Sequence, residues 1–123
     1  AGFGAAGGIA LGLSLFFPVE IQMGAKWFFD KTKLEDKLAE ADWIITGEGK
    51  YDGQSEGGKG CYELLQLAKK HQKKIALITS GSEIPGSGFD KWIRLSDLDM
   101  KAVNLAEMAE VELGRAVEAT QWD

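Results

Sequence analysis

The chain is poor in the residues that most often carry covalent chemistry. Cys61 is its only cysteine and His71 its only histidine. A single thiol excludes an intrachain disulfide and fits a reducing compartment. No group of side chains has the spacing of a zinc site. A Ser–His–Asp or Cys–His mechanism would have to recruit His71. That residue follows "LAKK", where a helix ends, and reads there as solvated or paired with the helix dipole. Positive charge is also in deficit. Against 14 lysines and arginines stand 19 aspartates and glutamates, for a net charge of −5. The basic face that a phosphate backbone needs is therefore missing, which argues against nucleic acid as a partner. What remains is ordinary. At 123 residues, 45% hydrophobic and 27% charged, the chain has the size and composition of one soluble globular domain.

Charge is absent from the first nineteen residues, "AGFGAAGGIALGLSLFFPV". Their length approaches a bilayer span. Five glycines, Pro18 and the lack of a basic flank speak against a membrane or signal segment. The pattern predicts a buried helix over residues 6–16, ended by Pro18. "GFGAAGG" reads equally as a phosphate cradle at a helix N-terminus or as small residues that let elements pack closely. The chain does not begin with Met, and the expectation is a fragment that follows a missing upstream part.

Residues 20–41 are helical by pattern. Ile21, Ala25, Phe28 and Phe29 share one face and Leu34 and Leu38 another. Thr32 is expected to cap the second segment, with Glu35 completing a capping box. "ADWIIT" and "KKIALITSG" are continuous apolar runs, as in strands covered on both faces of a parallel sheet. Between them "GCYELLQLAKKH" aligns Cys61, Leu64, Leu65 and Ala68 on one helix face, which makes a βαβ crossover. "KWIRL" reads as a short third strand. The final segment is an amphipathic helix with an inner stripe of Leu105, Met108, Ala109, Leu113, Ala116, Val117 and Thr120. Trp27, Trp43, Trp92 and Trp122 are scattered as packing residues are. The resulting expectation is an α/β fold, a parallel sheet with flanking helices. Residues 1–40 would form a helical segment and 41–123 a Rossmann- or flavodoxin-like portion.

Ligands of open α/β sheets bind beyond the carboxyl ends of the strands. The loops at issue are "GEGKYDGQSEGGKG" and "SGSEIPGSG", and neighbouring strands would put both on one rim. From Ile45 to Gly60, sixteen residues hold six glycines, three carboxylates and two lysines. Gly47 and Gly49 would let the backbone turn and approach a ligand. Gly57, Gly58 and Gly60 lead into a helix whose free N–H groups favour an anion, and Lys59 stands ready to neutralise a phosphate. Glu48, Asp52 and Glu56 are candidates for Mg²⁺ or for a general base. Gln54 and Ser55 offer hydrogen bonds to a small polyol or acid. Gly53 to Lys59 mimics a P-loop, but Gly60 replaces the Ser or Thr that holds the metal. The same composition also suits a solvated loop whose glycines serve turns alone.

Three segments in order resemble the type I glycerate kinases. They are "GAAGGIALGL" (Gly4 to Leu13), "ADWIITGEGKYDGQSEGGKG" (Ala41 to Gly60) and "KKIALITSGS" (Lys73 to Ser82). Beyond Ser82, "EIPGSGFDKW" departs from the family's pattern and leaves the role of that loop open. The resemblance implies ATP-dependent phosphorylation of glycerate, with Mg²⁺, in a cleft between two domains of a cytoplasmic enzyme. This chain would supply its C-terminal part. By motif position Asp52, Glu48 and Lys59 would be the catalytic candidates, with Asp52 and Glu48 on the metal. Gly47, Gly49, Gln54, Ser55, Gly4, Gly7 and Gly8 would contact substrate or phosphate. Two other classes fit the residues: a non-catalytic binding module, and another α/β enzyme for small phosphorylated acids.

Overall fold

A computed structural model describes residues 5–49, 51, 60–81, 86, 88–95, 98 and 101–123. Its centre is a three-stranded parallel sheet in the order β1-β2-β3, formed by Trp43–Glu48, Lys74–Thr79 and Lys91–Arg94. The expected α/β architecture is thus the observed one. Helix α4 (Gly60–Lys70) crosses from β1 to β2, as the βαβ pattern requires. Ahead of the sheet lie a 3₁₀ turn (Ala5–Gly8) and helices α1 (Ile9–Ser14), α2 (Gly24–Thr32) and α3 (Leu34–Glu40), and after it comes α5 (Leu105–Glu118).

The core forms where periodicity and sheet coincide. Leu65 and Ala68 of α4 are buried with Ile44 of β1 and Ile75 of β2, and Cys61 of α4 with Leu77 of β2. Leu34 and Leu38 of α3 close the first of these clusters, as their shared face predicted. Central β2 is buried almost throughout. Strand β1 is not: Ile44 faces the core while Ile45 is 52% exposed, so among the described residues only one of its faces is covered. Hydrogen bonds fix both ends of the β2–β3 pair, one of them to the Asp90 carboxylate. Asp90 accepts a hydrogen bond from the Ile75 N–H at 2.8 Å and returns its own N–H to Ile75 O at 2.9 Å. At the other end the Leu95 N–H reaches Thr79 O at 2.7 Å.

The front of the chain departs from expectation. The predicted buried helix is a short turn followed by the six residues of α1, none of them buried. Leu11, Leu15, Phe16 and Phe17 face outward, Phe16 at 80% exposure. Apolarity there reflects a surface that nothing described covers. Residues 20–23 are not helical, which removes Ile21 from the predicted face. Ala25 and Phe29 of α2 are half-buried while Phe28 is exposed. Thr32 does not cap α3. Its hydroxyl donates to Phe28 O (2.8 Å) and Phe29 O (3.3 Å), inside its own helix. Lys33 joins the two helices in a left-handed conformation, φ 51°. Of the stripe on α5, Leu113 is exposed and the other six residues are half-buried. Among the described residues no helix is long and apolar enough to cross a membrane.

Candidate active site

The carboxyl ends of β1 and β2 meet on one rim, and their following loops are tied together. Gly49 O accepts two hydrogen bonds from the other loop, from the Gly81 N–H at 3.0 Å and the Ser80 hydroxyl at 3.1 Å. Parallel pairing puts Gly47 opposite Ile78 and Glu48 opposite Thr79. Gly47 is therefore an extended strand residue and makes no turn. A Cβ there would stand 3.8 Å from Ile78 O, and one on Gly49 would meet nothing within 4 Å among the described residues. Open backbone at this rim suits close approach by a ligand. Glu48, half-buried, is the carboxylate that the described part of β1 presents at the rim.

Beneath Glu48 lies Cys61, in the first turn of α4. Its thiol donates to Gly47 O at 3.3 Å and lies 3.1 Å from the Thr46 hydroxyl and 4.0 Å from Glu48 Oε2. Burial pushes the Cys61 thiol pKa up. The Thr46 hydrogen bond opposes this shift and the Glu48 carboxylate adds to it. The residue is thus a neutral strut between helix and strand, not a nucleophile.

Sequence reasoning missed Tyr51. Within a polar, glycine-rich loop it turns inward and is buried with Cys61 and Leu77. Its ring meets that of Phe89 edge to face, centroids 5.2 Å apart and planes at 89°. Phe89 belongs to the β2–β3 connection. Gly88 delivers it there with φ +135°, where an added Cβ would lie 2.8 Å from Lys69 Nζ. The one signal in the sequence was a lone aromatic among charged residues.

Of the predicted site residues, Gly47, Glu48 and Gly49 are gathered at this rim. Asp52, Gln54, Ser55, Glu56, Lys59 and Gly4 lie outside the described residues. Gly7 and Gly8 have left-handed φ of 66° and 85°. A Cβ on Gly7 would meet no atom within 4 Å among the described residues, so its glycine answers to conformation and not to close packing. No group of three metal-ligating side chains occurs among the described residues. Glu48 with backbone and water is nonetheless a donor set that suits Mg²⁺, which commonly takes one or two carboxylates. Several cavities lie elsewhere among the described residues. One of about 470 Å³ sits among α2, α3 and α4, by Phe29, Glu35 and Lys70. Another of about 580 Å³ lies at the amino end of the sheet, by Trp43 and Trp122. His71 belongs to neither the rim nor a triad. Its Nε2 is 2.7 Å from Glu35 Oε1, which also binds Lys70 Nζ at 2.5 Å. These partners, Lys70 first, hold the Glu35 carboxyl below its ordinary value of 4.5.

A parallel sheet with its loops joined at the carboxyl rim defines an open α/β protein of the kind that binds small molecules at its strand ends. A sequence model of the glycerate kinase family matches residues 1–121, and the chain belongs to that family. It is 40% identical over 78 residues to a glycerate kinase of Haemophilus influenzae, covering 63% of this chain and 21% of that one. Against the glycerate 2-kinase of Escherichia coli it is 35% identical over 74 residues, 60% of this chain and 19% of the relative. A crystal structure from Salmonella typhimurium LT2, assigned as glycerate kinase 2, superposes with a TM-score of 0.68 at 28% identity. That match covers 96% of this chain and 32% of the other. The chain thus spans about a fifth to a third of the length of these proteins.

Proposed function

We propose that the polypeptide carrying this chain transfers a phosphoryl group from ATP to glycerate, with this chain supplying one wall of the cleft. The observation that carries the reading is the rim at Gly47–Gly49, where open backbone and Glu48 stand beside the loop after β2. Phosphoryl transfer asks mostly for positioning and charge neutralisation, so a site without histidine is adequate. Asp52 acts as the base or metal-orienting carboxylate, Glu48 as a metal or substrate contact and Lys59 as a phosphate clamp. Gln54 and Ser55 contact glycerate. The assignment of Gly4, Gly7 and Gly8 to phosphate rests on the sequence. Mg²⁺, held by Glu48 and Asp52, would neutralise phosphate charge in a cytoplasmic enzyme.

The same reading treats residues 1–40 and 41–123 as parts of a longer protein, whose remaining portion covers the apolar surface of residues 9–17. The test is ADP release by the complete polypeptide with Mg·ATP, with and without D-glycerate. Glycerate-dependent release is expected. Asp52→Asn should lower kcat by about 10²-fold if Asp52 is the base. A change below about threefold removes it from proton transfer. Tight binding of phosphoglycerate with no ADP release would point instead to a binding module or another enzyme of small phosphorylated acids.

A further inference from the structure

We infer, on the phosphoryl-transfer reading above, that Tyr51 and Phe89 are positioning residues whose ring contact makes the glycine-rich loop and the β2–β3 connection one mechanical unit. Three observations converge. Gly49 O is held by Ser80 and Gly81 of the second loop. Two residues further on, the Tyr51 ring is buried against Phe89 from the far end of that same connection. At the exit of the glycine-rich segment Cys61, in the same cluster as Tyr51 and Leu77, is bonded back to β1 through Gly47 O. Tyr51 and Cys61, the described residues on either side of the sequence stretch that carries Asp52 and Lys59, therefore share one apolar cluster. Phe89 is the member of that packing contributed by the other loop.

Tyr51 follows Lys50 and precedes Asp52, so burying its ring sets where the backbone of a charged loop begins. A misplacement of about 1 Å at such a loop is enough to cost orders of magnitude in rate. On the other side, Gly88 holds φ +135°, a conformation that L side chains rarely adopt, so a side chain there would strain the backbone that presents Phe89.

The test uses the complete polypeptide with Tyr51→Leu, Phe89→Leu and the Y51L/F89L double variant. Y51L and F89L should each lower kcat about tenfold or more while KM for glycerate and ATP moves less than about threefold. The double variant should be no slower than the slower single one. Multiplying effects would overturn the inference. Amide exchange gives a readout that survives failure of the kinase reading. In F89L, exchange across 49–60 should rise about threefold to tenfold while α5 is unchanged. A rise confined to 86–90, or an equal rise everywhere, would sink the proposal even if glycerate is phosphorylated. If wild type releases no ADP, the reaction is wrong and the exchange arm alone decides the coupling. F89L alone decides it if Y51L does not fold.

Discussion

Two side chains show how little of their role a residue type announces. His71, the lone histidine, is occupied by Glu35, and Cys61, the lone thiol, is a strut under the rim. Glu35 makes a stability prediction with a definite sign. Its folded pKa is lowered, so its contribution is fully present above the unfolded value near 4.5 and is lost as pH falls through the folded one. The melting-temperature gap between the protein and its Glu35→Gln variant should therefore hold above the unfolded value and close as the pH falls below it. Because the pair is solvent-exposed, the gap should also be small and shrink in salt. A gap that widens on acidification would contradict the assignment. For Cys61 the prediction is chemical. Burial disfavours its thiolate, so iodoacetamide at about pH 8 should label the native protein at least about tenfold more slowly than the urea-unfolded chain, followed by mass spectrometry. Equal rates would mean that the first turn of α4 is open.

Elements were legible where a local pattern met a local partner. The unbroken apolar run of β2 announced a strand buried on both faces, and the four-residue spacing of Leu34 and Leu38 announced the face of α3. The same apolar cue misled at α1, because a sequence states that a face needs covering and not whether the cover lies nearby. It misled less at β1, where Ile44 and Ile45 read alike but only Ile44 has a partner. Thr32 went astray for another reason. A hydroxyl can serve the helix behind it as well as the one ahead, and here it serves Phe28 and Phe29. That leaves Lys33 to make the α2–α3 joint with φ 51° and no side-chain cap. A left-handed lysine is strained relative to glycine by about 1–2 kcal/mol, partly offset by the unfolded-state entropy of glycine. Lys33→Gly should thus stabilise the protein by about 0.5–1 kcal/mol in urea unfolding. Destabilisation would show that the Lys33 side chain contributes more than its backbone costs.

For the whole molecule, rim geometry was legible and rim content was not. Two strands that each end in glycine-bearing loops are enough to foresee a shared edge, and Gly49 with Ser80 and Gly81 realises it. Nothing in the spacing of "GKYDG" says that the tyrosine turns inward, because that depends on Phe89, which is far away in sequence. The largest consequence at this scale is the run of exposed apolar side chains Ile9, Leu11, Leu13, Leu15, Phe16 and Phe17. Such a run on a free surface is sticky. On the proposal that a longer polypeptide covers this surface, the chain by itself should enhance ANS fluorescence several-fold over that polypeptide and self-associate at micromolar concentration in light scattering. Equal, low ANS signals from both would mean that the run folds over on itself.

The strand order has a consequence for synthesis. Because β1, β2 and β3 lie side by side in the order in which they occur in the chain, β2 and β3 each leave the ribosome with a neighbour already made. Among the described strands, none must wait for a later one to be inserted between two earlier ones. The growing sheet can lengthen vectorially by one edge at a time, with α4 laid down before β2 arrives to cover it.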